Sequence, residues 1–435
     1  MYSFGVRVIL DYAAEDDISS EKAESLEKKA LQDIKTELPQ YQVPSQNLDR
    51  RQKVVSARVF FYENEAECEK NMAYFLRCIE VAANSTYNTG MSAIKLTALC
   101  NPKILLQISE VITKSRRYLE QIHKAGNSSA PVIKHHVAKE KLKEYLTHLA
   151  KDPETAQKFL NMMTSDDEGI IHLFPWSGIL NDEFEVNETF QVLDLNTGEM
   201  VRFMTQLTKE EVKQFKNTIR RFNTVLQTAA DANTSYDEVV ADLEQARRQN
   251  FFFRCKLVRG AYMEQERERA AKMNYPDPIQ PTVMASTENY HKTFAECLRQ
   301  INELRKQGVT EKRIVVMVAS HNEDTIRMAI QKMDEMGIDP GQGTVIFGQL
   351  LGMCDFITYS LAAGGYKIYK YVPFGPVKEV LPYLSRRATE NRGILQNIKK
   401  EKRMLRKEII RRLLTLNLNR NPVGPIKPPR EDTAQ

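Results

Sequence analysis

The chain has 435 residues, of which 42% are hydrophobic and 27% charged, a composition expected of a soluble globular protein with a sizeable core. No apolar run is long enough to span a bilayer, which excludes an integral helical membrane protein from the expectations. The net charge of +5 is small for this size and is concentrated in one stretch near the C-terminus, so a general nucleic-acid-binding surface is not indicated.

In chain order, the first apolar run, VRVILDYAAED (6–16), ends in Asp11, Tyr12 and Glu15. A Pro-, Gln- and Asn-rich linker is expected over 36–55, and a second run, SAIKLTAL (92–99), carries Lys95 and Thr97. Another linker is expected over 124–133. FQVLDL (190–195) and EMVRFM (199–204) are weak strand candidates, although the whole stretch 199–230 reads as helix. The turn DANTSY (231–236) leads into a helix over 237–250. Four further apolar runs follow: CKLVRGAYMEQE (255–266), RIVVMVASHNED (313–324), TVIFGQLLGM (344–353) and KIYKYVPFG (367–375). Each ends in polar or ionisable groups and gives way to helical periodicity. Near-continuous Val/Ile/Leu runs separated by helices predict strands of a parallel sheet covered on both faces. Chemistry placed at the strand C-termini predicts a (βα)8 barrel.

The helix after the last strand carries Tyr383, Arg386, Arg387 and Glu390 at i, i+3, i+4 and i+7, which share one face. Two guanidinium groups on a rigid helix, flanked by a phenol and a carboxylate, suit a carboxylate or phosphate ligand. The bland alternative is a solvated face with ion pairs from both arginines to Glu390. Lys95 within an apolar strand is costly unless paired, which favours a functional role. Tyr371 and Tyr383, by spacing alone, read equally as core aromatics, and His321 as a satisfied buried histidine. Beyond this helix, KKEKRMLRKEIIRR (399–412) holds eight basic and two acidic residues and reads as an exposed helix, with contact to an anionic membrane surface as the sharper alternative. Basic and aromatic residues are not interleaved there, so nucleic acid fits poorly.

The six cysteines form no C-x-x-C pair and read as reduced core thiols, and the seven histidines show no metal-ligand spacing, so no metal is expected. Gly341 and Gly343 precede a strand, where a dinucleotide fingerprint must follow one, which argues against a Rossmann site. No targeting segment is expected within the chain, because Met1 stands only a few residues before the first strand.

LVRGAY (257–262), VMVASHN (316–322), FGQLLGM (347–353) and YLSRRATEN (383–391), in this order, resemble the catalytic barrel of the proline dehydrogenase family. The resemblance runs from residue 4 to about residue 415 and is closest over 250–395. It implies a TIM-barrel-like α/β fold holding FAD near the strand C-termini, oxidation of L-proline to pyrroline-5-carboxylate, and passage of electrons to a quinone. It also implies a mitochondrial location on the matrix side of the inner membrane, with peripheral membrane contact. By resemblance, Arg386 and Arg387 bind the substrate carboxylate with Lys95 beside it, and Glu15 closes over the site by pairing with Arg386. Tyr262, Leu350, Tyr371 and Tyr383 pack around the proline ring. Lys256 lies near the flavin N5 edge, Val258, Arg259, Gly260 and Ala261 form the turn along the flavin, and Ser320, His321, Asn322 and Glu390 make other cofactor contacts. A tyrosine at 371 argues for proline over hydroxyproline, whose enzymes tend to carry a small residue there.

One feature of the resemblance is not met. A complete family barrel has two more strands between Leu99 and Cys255, one ending in an Asp-Ala-Glu motif and the next carrying a flavin-contacting glutamine. Here the helical stretch 199–230 runs through 231–236 directly into the next helix, so six barrel strands are expected instead of eight. The expected organisation is the first two barrel strands with their linker over 1–100, a mainly helical insertion over 101–200 and the remaining barrel with the FAD and substrate site over 201–395. A basic C-terminal helix follows over 396–420, and a disordered tail over 421–435. Two alternatives to proline oxidation are a catalytically inactive variant acting as an interaction subunit and a hydroxyproline dehydrogenase.

Overall fold

The structure is a computed structural model. It describes residues 4–13, 64–86, 90–101, 104–105, 114–122, 137–149, 153–163, 165–166, 168–171, 191–195, 197, 199–203, 209–226, 236–248, 250–260, 263, 267, 270–271, 277–309, 312–390 and 398–416. Both expected linkers, the expected tail, and Glu15, Ala261 and Tyr262 lie outside these residues. The side chains of Arg386 and Glu390 do so as well.

The centre of the molecule is a six-stranded, all-parallel sheet. Its strands are β1 (Val6–Tyr12), β2 (Met91–Ala93), β7 (Phe253–Val258), β8 (Ile314–Ala319), β9 (Val345–Leu350) and β10 (Ile368–Phe374). They lie in the spatial order β2-β1-β10-β9-β8-β7. The sheet curls into a partial barrel with β2 and β7 as its edges, and among the described residues no strand bridges them. The six strands expected from the apolar runs are therefore the six observed.

The covering helices are α1 (Glu65–Ser85), α4 (Lys209–Leu226), α5 (Tyr236–Arg248), α6 (Val283–Lys306), α7 (Glu323–Glu335), α8 (Asp355–Ala363), α9 (Val377–Glu390) and α10 (Ile398–Thr415). Alternation along each strand divides the side chains between two faces. Cys255, Leu257, Val316, Val318, Val345, Phe347 and Ile368 point outward and join Phe294, Leu298 and Ile301 of α6, Ala329 and Met333 of α7, and Leu361 of α8 in the largest core cluster. Full burial of a residue such as Phe294 or Phe347 contributes about 1.5–3 kcal/mol. The opposite positions, Ile9, Ala93, Met317, Ile346 and Tyr369, with Ala319 and Tyr371 packed against them, form the inner cluster that floors the concave side.

A second core draws on residues between 104 and 219. It includes α2 (Lys139–Leu149), α3 (Pro153–Met162), Phe203, Phe215 and two small antiparallel ladders. One ladder pairs β3 (Val137–Ala138) with β4 (Ile170–Ile171), and the other pairs β5 (Gln191–Leu193) with β6 (Met200–Arg202). The second ladder corrects the expectation of helix from residue 199. Met200–Arg202 is strand, and α4 begins only at Lys209. Asp194 explains the reversal, because its carboxylate accepts from the Thr197 amide at 2.9 Å while its own amide donates to the Glu199 carbonyl at 2.8 Å. All six cysteines are buried free thiols, as expected.

Candidate active site

Some of the side chains proposed from sequence, Lys95, Tyr383 and Arg387, come together past the C-terminal ends of the parallel strands. Parity from Ile9 puts Asp11 on the inner face, and parity from Met91 and Ala93 continues to Lys95 just past β2. Asp11 is fully buried, and its Oδ2 lies 3.4 Å from the Lys95 ammonium. The same ammonium stands 5.1 Å from the ring centroid of Tyr383, and the Arg387 guanidinium stands 5.4 Å from that ring. Tyr383 is itself buried, so α9 delivers an aromatic ring gripped by two cations. Each cation gains from the ring quadrupole, and the two like charges near one ring repel each other. A small carboxylate between them would relieve that repulsion.

The walls come from adjacent strands. Tyr371 lies in register with Ile9 on one side and Leu350 on the other. The Leu350 amide donates to His321 Nε2 at 3.4 Å, tying the end of β8 to the end of β9. Since Nε2 accepts, the neutral ring carries its proton on Nδ1, and that buried group has no hydrogen-bond partner among the described residues. Burial, followed by repulsion from the Lys370 ammonium, depresses the His321 pKa to about 4, so the imidazole stays neutral at physiological pH.

At the far edge, Lys256 and Val258 lie on the inner face of β7, on the outer side of the β7–β8 pair. Val258 is 42% exposed, and the Lys256 ammonium makes no ion pair among the described residues. Gly260 follows at φ +73°, with nothing within 4 Å of where a side chain would begin. Other sequence-proposed residues are engaged elsewhere. Arg259 turns to the helices, donating to Thr287 Oγ1 at 2.8 Å and Thr325 Oγ1 at 3.4 Å. Asn322 caps α7 by accepting from the Thr325 amide at 2.8 Å, and the Ser320 hydroxyl accepts from the Asn322 amide at 3.1 Å. These three hold the turn after β8 and the mouths of the helices through their side chains.

Sequence reasoning assigned no role to Asp11 or to Lys370. Lys370 is buried on the outer face, where Nζ donates to the carbonyls of Leu350 at 3.3 Å and Met353 at 2.5 Å and pairs with Asp355 at 2.8 Å. It thereby fixes the loop that presents Leu350. A charged residue at the inner parity of VILDY was the available signal for Asp11. Lys370 had none, because its partners are backbone carbonyls of the neighbouring strand end.

A curled parallel sheet with cations, an aromatic ring and a neutral imidazole at its strand C-termini has the arrangement of an α/β-barrel enzyme. The family model for proline dehydrogenase matches residues 180–400. The chain is 46% identical to "Proline dehydrogenase 1, mitochondrial" of Drosophila melanogaster, a match covering 97% of this chain and 70% of that protein. It is 36% identical to the Homo sapiens protein of the same name, covering 97% and 78%. The chain belongs to the proline dehydrogenase family, and it is an oxidoreductase of that family. The Drosophila match extends over 484 residues, more than the 435 of this chain, so the alignment includes positions with no counterpart here. Hydroxyproline dehydrogenase of Xenopus laevis matches at 45% over only 41% of this chain and 37% of its own. Among solved structures, proline utilization A from Bdellovibrio bacteriovorus superposes with a TM-score of 0.41 at 15% identity, covering 88% of this chain; this chain spans about a third (32%) of its length.

Proposed function

We propose that this chain oxidises L-proline to pyrroline-5-carboxylate using FAD held along the concave face of the sheet. The observation that carries the proposal is the pair of cations, Lys95 and Arg387, on the buried Tyr383 ring, with Asp11 behind Lys95. A cyclic amino acid needs an anion fork at one end and apolar walls at the other. Lys95 and Arg387, with Arg386 next to Arg387 in sequence, bind the carboxylate, and Leu350, Tyr371 and Tyr383 enclose the ring. Tyr262 and Glu15 complete the enclosure, with Glu15 closing over Arg386.

The residues around the proposed flavin site suit the cofactor. Among the described residues, a cation without an ion pair at Lys256, an open backbone turn at Gly260 and an unpartnered Nδ1–H on His321 are donors available to an electron-rich ligand. Val258 and the backbone of Arg259 and Ala261 lie along the flavin, while Ser320, Asn322 and Glu390 shape the rest of its site. When bound, FAD supplies acceptance of the hydride from the carbon next to the ring nitrogen. The chain's own contribution is to hold that carbon in place and to exclude water. Electrons then pass to a quinone. The protein acts in the mitochondrion, on the matrix side of the inner membrane, where the basic helix α10 makes peripheral contact. In this reading residues 1–100 and 201–395 build the barrel around an insertion over 101–200, with the helix 396–420 and the tail 421–435 outside it.

A second reading, an inactive variant acting as an interaction subunit, draws support from the six-stranded sheet with edges at β2 and β7. One experiment separates the two: the visible spectrum of the full chain purified with FAD, before and after adding L-proline. Flavin bands that bleach with proline support oxidation. A soluble, colourless protein refutes it in favour of the second reading.

A further inference from the structure

Among the described residues Arg221 is the largest fully buried side chain, and nothing in the proposed chemistry uses it. It sits on α4, far in sequence from the strand ends. Four of the five N–H donors of its guanidinium are occupied. Nη1 donates to Glu65 Oε2 at 3.0 Å and to Glu69 Oε1 at 2.9 Å, and Nη2 donates to Glu65 Oε2 at 3.0 Å. Nε donates at 2.6 Å to the carbonyl of Leu99. Asn217 also donates to Glu65, and Arg220 pairs with Glu69, so two arginines face two carboxylates and the cluster is neutral.

The Leu99 carbonyl closes a short turn that begins at Lys95. The Ala98 amide donates to the Lys95 carbonyl at 2.9 Å and the Leu99 amide to the Leu96 carbonyl at 3.0 Å. The Ala98 carbonyl accepts from Asn71 Nδ2 of α1 at 3.1 Å. Both consecutive carbonyls at the end of the turn are thus gripped from outside, one by α1 and one by α4. β2 itself is only three residues long and pairs with β1 through three positions, which is too little to orient the residue that follows it.

We infer that Arg221, seconded by Asn71, is a positioning residue that sets where the Lys95 ammonium stands relative to Asp11 and Tyr383. The inference rests on the proposed role of Lys95 in holding the substrate carboxylate. A hydrophobic residue would fill the same volume without desolvating a charge, so the planar fork earns its place through geometry. Only a guanidinium serves two carboxylates and a carbonyl at once; a lysine keeps the charge and loses the fork.

The test uses the full chain with FAD and three variants, Arg221→Lys, Asn71→Ala and Lys95→Met. Calorimetry measures binding of a carboxylate isostere of proline whose ring nitrogen is replaced by oxygen; flavin content and melting temperature are recorded alongside. Arg221→Lys and Asn71→Ala are expected to weaken binding of the isostere roughly tenfold, the scale of a displaced positioning contact, with flavin content unchanged and melting within a few degrees of the parent. Wild-type affinity in both variants overturns the inference while leaving the Lys95 role standing. Parallel loss of flavin and of melting temperature in both also overturns it, since Arg221 and Asn71 then hold the fold alone. If Lys95→Met binds the isostere as well as the parent does, the carboxylate site itself is wrong and the inference falls with it.

Discussion

Replacing Lys370 with methionine tests how the pocket wall is held. Methionine approximates the lysine stem in volume, so packing on the outer face of β10 is retained while the ammonium disappears. Its loss leaves the carbonyls of Leu350 and Met353 without the donor that lies 3.3 and 2.5 Å away, and leaves Asp355 without its partner at 2.8 Å. Asp355 is 40% exposed as a side chain, but the Oδ1 that pairs with Lys370 is buried, so losing that pair adds to the cost. The two carbonyls, at about 1–3 kcal/mol each for an acceptor left unsatisfied, are partly offset by no longer desolvating an ammonium that is 1% exposed. The net expectation is destabilisation by about 3 kcal/mol, read from urea unfolding of the variant against the parent. A second readout is independent of stability. Removing the positive charge lifts one of the two causes depressing His321, so its pKa rises from about 4 in the variant, as followed by the imidazole resonances during titration. A variant as stable as the parent, with an unshifted His321, would show that Lys370 neither supports the Leu350 loop nor acts on the imidazole.

His321 also predicts a pH dependence. Between pH 6.5 and 4 the unfolded chain takes up a proton there that the folded chain refuses, so stability falls as the pH drops through that window, by about 3 kcal/mol, and levels off below it. His321→Gln is expected to lose that slope in pH-dependent urea unfolding; identical slopes would exonerate His321. Arg387→Met is expected to raise the proline concentration needed for half-maximal turnover at least tenfold with flavin content unchanged, and equal losses of both would detach it from the carboxylate. Tyr371→Ser is expected to improve turnover of hydroxyproline relative to proline, and an unchanged ratio removes Tyr371 from the pocket.

The strands of the sheet were legible because each is an apolar run whose inner and outer faces alternate with their neighbours. Once Val316 and Val318 face the helices, Met317 and Ala319 must face inward. The same parity in the structure puts Lys95, Lys256 and Tyr371 on one face, whereas helical spacing in the sequence already placed Tyr383 beside Arg387. What escaped depended on distant partners. Arg221 reads as one of many charges on a polar helix until Glu65, Glu69 and Leu99 are brought to it across more than a hundred residues. Lys370 reads as a break in an apolar run until the carbonyls after β9 reach it. The ladder at Met200–Arg202 bears out the two weak strand candidates, 190–195 and 199–204, over the competing helical reading from residue 199, because the Asp194 turn between them fixes the extended form.

The two edges of the sheet hold on unequally. β7 is anchored to β8 through six register positions, whereas β2 is anchored to β1 through three. If the sheet is pulled or warmed, the rim beside Lys95 is the end that peels first, and the rim beside Lys256 is the end that stays. Four strands separate those two lysines, so the span between them is fixed by the coil of β1, β10, β9 and β8 and by no direct tie among the described residues. The distance between Lys95 and Lys256, the cations proposed to meet the amino acid and the flavin, is therefore a mechanical property of the arc, which among the described residues works as a spring tuned by whatever presses on its two ends.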